Sequence, residues 1–177
     1  SIGNPNVEPP EEFVRTLREV ACELTPGRHG YMQNAGYTEA RQAVAEYLSK
    51  DQGIAVGCDN VVMTVGAGGA LNVIFRTVLD PGDEVIIARP YFVEYGNYLS
   101  NHFGVLVPVA STDDFDLDLD AIEQAIRPAT RAVLINSPNN PTGRIYPAAT
   151  LAALGDLLRR KSAEMGRILY LISDEPY

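Results

Sequence analysis

The chain has 177 residues, 46% hydrophobic and 21% charged, which is enough length and apolar content to bury one sizeable core. That composition excludes a disordered tail, a collagen-like chain and a disulfide miniprotein. With 14 Lys and Arg against 23 Asp and Glu, the net charge of -9 repels a phosphate backbone and counts against nucleic acid as a partner. No apolar run approaches the roughly eighteen residues of a membrane span, and Cys22 and Cys58 make neither a disulfide framework nor a metal site, so the expected setting is a reducing cytoplasm with no membrane partner.

Residues 1–10 are rich in turn formers and lack an apolar period, so they read as an irregular arm. Phe13, Val14, Leu17, Val20, Ala21 and Leu24 then recur at helical spacing, with acids early and Pro26-Gly27 after the end, which predicts a helix over 11–24. A second stripe, Ala40, Ala43, Val44, Tyr47 and Leu48, predicts a helix that ends near Gly53. Beyond it, short branched apolar runs alternate with longer helical patterns. Strands are expected at 61–65, 84–88, 105–109, 131–135 and 168–172, and helices at 69–79, 92–102, 118–126 and 147–165. This alternation predicts an α/β fold of three layers, αβα, around a mostly parallel sheet. A last strand with no helix after it predicts a domain that continues past Tyr177.

In an open parallel sheet, ligands bind beyond the carboxyl ends of the strands, so the residues just after each strand are the first candidates. Gly66-Ala67-Gly68-Gly69 opens a helix, where bare backbone N–H groups and the positive end of the helix dipole suit a phosphate, although a tight turn alone would also use glycine. Neither a dinucleotide fingerprint nor a Walker loop fits, because Leu71 stands where a third glycine is needed and no Gly-Lys-Ser/Thr is present. After the next strand comes Phe92, whose ring could stack on a flat ligand or simply fill the core. After the strand at 131–135, two prolines stiffen a loop in which Asn139 or Asn140 can present an amide. After the last strand come the Asp174 carboxylate and the Tyr177 phenol. These groups all fall on one edge of the sheet.

The ordered set Gly3-Asn4-Pro5, Gly30-Tyr31, Gly36-Tyr37, Val65-Gly66 to Leu71, Asp80 to Glu84 with Pro90-Tyr91, Asn139 to Gly143 and Asp174 to Tyr177 resembles the fold-type I, pyridoxal-phosphate-dependent aminotransferases of class I and II. The resemblance implies an enzyme that moves an amino group between an amino acid and a 2-oxo acid, with pyridoxal 5'-phosphate as cofactor. It implies that Ala67 and Gly68 give N–H groups to the cofactor phosphate, that Phe92 stacks on the ring, that Asn140 and Tyr177 bond its phenolic oxygen, and that Asp174 pairs with the ring nitrogen. Tyr31 would reach the phosphate of a neighbouring subunit in a homodimer, and Gly3 would approach the substrate carboxylate. Residues 1–10 would be an arm associated with a small domain, and 11–177 the first part of the large, cofactor-binding domain. A lyase or decarboxylase with the same cradle, or a module that binds a phosphate or nucleotide without covalent chemistry, are the alternatives. The imine-forming lysine and the carboxylate-binding arginine are expected beyond Tyr177, since the only lysines, Lys50 and Lys161, fall on predicted helices; the 177 residues alone are then expected to be inactive.

Other signals carry less. The run Asp116 to Asp120 has Ala121 where a calcium loop needs glycine and Arg127 where it needs glutamate, and reads better as a helix start. Arg159, Arg160 and Lys161 read as a charged helix face, and His29 and His102 have no partners at metal spacing. No metal is expected.

Overall fold

The structure is a computed structural model and describes residues 6–176, so Gly3 and Tyr177 lie outside the described residues. It divides into two compact units after Met63.

In the first unit, α1 (Glu11–Cys22) and α2 (Thr38–Gln52) form as their periodicity predicts, followed by a 3₁₀ turn at Cys58–Asn60. Gly53 closes α2 in the left-handed conformation that a residue with a Cβ adopts poorly. Gly36, at φ +100°, faces a harder constraint: a Cβ there would stand 2.6 Å from Met63 Cγ, while the Met63 N–H bonds the Ala35 carbonyl at 2.9 Å. The apolar stripe of α1 stays open, with Phe13 and Leu17 exposed and no residue of that helix buried.

The second unit is the expected three-layer α/β arrangement. Strands β1 (Glu84–Ala88), β2 (Val105–Val109), β3 (Thr130–Asn136) and β4 (Tyr170–Asp174) are all parallel, in the order β2-β1-β3-β4. Period-two alternation sends side chains to two separate cores. Ile86, Ala88, Val133 and Ile135 pack with Ile122 of α5 (Leu119–Ala125) and with Leu154, Leu157 and Leu158 of α6 (Ala148–Met165). Val85, Ile87, Ala132, Leu134 and Ile172 pack on the other face with Leu71 and Phe75 of α3 (Gly66–Val78) and with Tyr95 and Leu99 of α4 (Tyr95–Ser100). The central strands β1 and β3 are buried on both faces, and Pro108, which lacks a ladder donor, sits in the edge strand β2.

Local chemistry sets the ends of these elements. Asp118 caps α5 by accepting the Ala121 N–H at 2.9 Å, which uses part of the acidic run for helix initiation. Buried Asp83 receives Arg167 Nη2 at 3.0 Å and the Asp80 N–H at 3.0 Å, which fastens the turn before β1 to the segment leading into β4. Arg131 donates to the carbonyls of Val78 and Ile168, each at 2.9 Å, and stacks over Tyr170.

One expected strand is absent. Residues 61–65 belong to no helix or strand and pair with no described strand; β-propensity alone does not make a strand without a neighbouring ladder. The helix expected over 92–102 is shorter, because residues 93 and 94 form a turn before α4 begins at Tyr95.

Two measurements on the full-length protein check this packing. Leu154→Ala, at a site with 0% exposure, is expected to cost about 2–5 kcal/mol in urea unfolding, because a truncated core side chain leaves both lost transfer energy and a cavity. The second concerns Glu123, whose pKa is lowered from 4.5 to about 2 by hydrogen bonds from Arg160 and Lys161. A carboxylate with a depressed folded-state pKa adds stability above its unfolded pKa and loses it as pH falls through the folded value. The difference in thermal midpoint between the parent and Glu123→Gln should therefore be constant above about pH 4.5 and shrink steadily towards about pH 2.

Candidate active site

The chain runs from β1 outward to β2, then returns across β1 to β3 and β4, so the order reverses between β1 and β3. Such a reversal opens a crevice at the carboxyl ends of the strands, because the connections on its two sides lead away to opposite faces. A cavity of about 180 Å³ lies there, lined by Ala67, Gly68, Phe92, Asn140 and Asp174, together with Leu71, Tyr95, Tyr98, Asn136 and Pro176. Five residues expected from the sequence thus meet around one hollow. Tyr31 belongs to the first unit and is fully exposed.

The sheet register places the acid. Asn136 and Asp174 are direct partners at the last rung between β3 and β4. Each lies two residues beyond a side chain of the α3/α4 core, Leu134 and Ile172, so alternation turns both towards that face. Both are buried, with Asp174 only 8% exposed. A buried carboxylate needs partners; Tyr95, itself 1% exposed, donates its hydroxyl to Asp174 Oδ2 at 2.6 Å. That bond leaves Oδ1 to receive a second donor. Tyr95 also meets the Phe92 ring edge to face, with centroids 5.6 Å apart, so the turn before α4 fixes the orientation of Phe92.

Asn136 links the acid to the asparagine loop. Its Nδ2 donates to the Asp174 carbonyl at 2.9 Å, and its Oδ1 accepts the Asn140 N–H at 2.7 Å. The structure also separates the two candidate amides. Asn139 is buried and committed to the loop: its Oδ1 accepts the Thr142 hydroxyl at 2.9 Å and its Nδ2 donates to the Tyr146 hydroxyl. Burial raises the Tyr146 pKa, which keeps that phenol neutral. Asn140 lines the cavity.

On the facing element, Gly66 starts α3 at φ +66°, a conformation that favours glycine. No side chain caps this N-terminus, so the first-turn N–H groups of Ala67 and Gly68 have no intrahelical acceptor. Asn72 steadies the turn: its Nδ2 donates to the Gly68 carbonyl at 2.8 Å, while its Oδ1 meets Asn101 Nδ2 and His102 Nε2, each at 3.1 Å, just after α4. The cavity lining holds one carboxylate, two phenols, two amides and a bare helix start, and neither Lys50 nor Lys161 belongs to it. Lys161 instead pairs with Glu123 at 3.0 Å and Glu164 at 3.1 Å.

Tyr95, Tyr98 and Asn136 are the polar lining residues that sequence reasoning missed. Phe92, Tyr95 and Tyr98 recur every three residues, a spacing visible in the sequence, although Phe92 itself lies before α4. The role of Asn136 required the strand register.

The family model for aminotransferases of class I and II matches residues 1–177. The aspartate/prephenate aminotransferase of Thermus thermophilus is 37% identical over 177 residues, which are 99% of this chain and 44% of that protein. An arginine–pyruvate transaminase of Pseudomonas aeruginosa is 36% identical over 183 residues, covering 100% of this chain and 43% of that protein. Among solved structures, an amino transferase from Eubacterium rectale superposes with a TM-score of 0.96 at 41% identity over 100% of this chain and 45% of its own. The chain therefore spans less than half the length of the relatives it matches.

The Asn136 bridge gives a direct stability test. In Asn136→Ala, the Asp174 carbonyl and the Asn140 N–H both lose a buried partner, and each loss costs about 1–3 kcal/mol. Chemical denaturation of the full-length variant should show a loss of at least about 2 kcal/mol; a change under 0.5 kcal/mol, the size of an ordinary surface substitution at about that value, would show the bridge to be dispensable.

Proposed function

The chain belongs to the class I and II aminotransferases, and from that premise we propose that the full-length protein transfers an amino group between an amino acid and a 2-oxo acid, using pyridoxal 5'-phosphate. The observation that carries this reading is the single cavity shared by Asp174, Phe92, Asn140 and the open start of α3. The donor set fits the cofactor: an uncapped helix N-terminus suits a phosphate, an aromatic face suits a pyridine ring, and a buried carboxylate suits a protonated ring nitrogen. The cofactor, when bound, supplies an electron-poor ring that accepts the electron pair released as the substrate loses its α-proton.

The chain's own residues would bind and orient it. The N–H groups of Ala67 and Gly68 hold the phosphate, and Phe92 packs on the ring. Asn140 donates its amide to the phenolic oxygen, joined by Tyr177 as the family resemblance implies. Asp174 holds a proton on the ring nitrogen, because a nearby opposite charge favours the protonated form. Tyr95 acts through Asp174 as a positioning residue: its hydrogen bond to Oδ2 fixes the rotation of the carboxylate and orients Oδ1. As the family resemblance implies, Gly3, outside the described residues, would approach the substrate carboxylate.

A homodimer in which Tyr31 of one protomer reaches the phosphate held by its partner is supported by the exposure of that side chain. A cytoplasmic location is supported by the two unpaired cysteines, and no helix among the described residues is long and apolar enough to cross a membrane.

Asp174→Asn in the full-length protein removes the negative charge while keeping the shape. The expected outcome is retention of phosphate-anchored cofactor with a fall in transamination of at least about a hundredfold, since a general acid–base or electrostatic contribution of this kind is worth about 10²–10⁴ in rate. Turnover within threefold of the parent would contradict the assignment.

A further inference from the structure

The proposed chemistry leaves one phenol of the cavity unused. Tyr98 lies on α4, three residues after Tyr95, and lines the same hollow as Ala67 and Gly68. Its hydroxyl rests against Gly68: a Cβ built at residue 68 would stand 2.9 Å from the Tyr98 oxygen and 3.2 Å from its Cζ. Gly68 is not in the left-handed region, unlike Gly66, so backbone conformation does not require glycine there. The requirement is space. A poor helix former is placed in the first turn of α3, and a tyrosine hydroxyl fills the volume that a side chain would take.

That volume adjoins the N–H groups that have no intrahelical acceptor. The Tyr98 hydroxyl has no protein hydrogen-bond partner among the described residues, and the cavity lining contains no lysine or arginine. Resting on the cofactor reading above, we propose that Tyr98 is a phosphate-binding residue, donating its O–H to the cofactor phosphate from the position that a residue-68 side chain would occupy. Gly68 and Tyr98 then form a matched pair. The glycine contributes an N–H and an opening, and the phenol contributes the side-chain donor. A neutral donor to an anionic phosphate is a charge-assisted hydrogen bond, stronger than one between neutral groups.

The test uses the full-length protein and two probes, pyridoxal 5'-phosphate and pyridoxal, which share the ring and differ only in the phosphate. Tyr98→Phe keeps the aromatic packing and removes the donor. Its affinity for the phosphorylated probe should fall about tenfold, as expected for a lost hydrogen bond to a charged group, while its affinity for pyridoxal stays unchanged. Equal losses for both probes, or a loss below twofold for the phosphorylated one, would overturn the assignment. Gly68→Ala supplies an independent arm. The added Cβ should displace the hydroxyl and weaken the phosphorylated probe selectively, and should add little in a Tyr98→Phe background because the two changes act on one contact. Additive losses would count against the pairing. If the parent protein does not prefer the phosphorylated probe at all, the cofactor reading itself fails; if the parent and Tyr98→Phe prefer it equally, only the role of Tyr98 fails.

Discussion

The site depends on one rung of the sheet, the pairing of Asn136 with Asp174 at the carboxyl ends of β3 and β4. That register places a carboxylate beneath the α3/α4 layer, where burial would disfavour its charge unless hydrogen bonds compensated. Tyr95 donates to the carboxylate, and Asn136 binds the carbonyl of the same residue, so both side chain and backbone of Asp174 are held. A one-residue slip of β4 would turn Asp174 to the other face and separate it from all of these partners.

The other groups reach the same hollow through the reversal of strand order between β1 and β3. The segment after β1 delivers Phe92, the loop after β3 delivers Asn140, and the uncapped start of α3 delivers the N–H groups of Ala67 and Gly68. These segments lie far apart in sequence. They converge because parallel strands bring all their carboxyl ends to one edge, and because α3 and α4 cover the same face. The two helices are further joined by Asn72, which ties the Gly68 carbonyl to the residues just after α4.

Much of this was legible in the amino-acid sequence, for physical reasons. Strand and helix alternate with clear periods through residues 66–174, and the rule that ligands collect after strands singles out Phe92, the Asn139–Asn140 pair and Asp174 without coordinates. What was not legible depended on tertiary pairing. Residues 61–65 have strand-like composition but find no described ladder, and Phe13 and Leu17 form a helical stripe that stays exposed. Asn139 and Asn140 are adjacent and chemically equal in sequence; only the loop's internal hydrogen bonds show that Asn139 is consumed by Thr142 and Tyr146. Tyr98 falls inside the helix expected over 92–102, and only the space above Gly68 shows what its hydroxyl faces.

The most direct measurement is a crystal structure of the full-length protein with pyridoxal 5'-phosphate bound. The expected arrangement has a carboxylate oxygen of Asp174 within hydrogen-bond distance of the ring nitrogen, and the N–H groups of Ala67 and Gly68 on the phosphate of that same molecule. A phosphate seated away from α3, or a ring nitrogen facing any group other than Asp174, would contradict it.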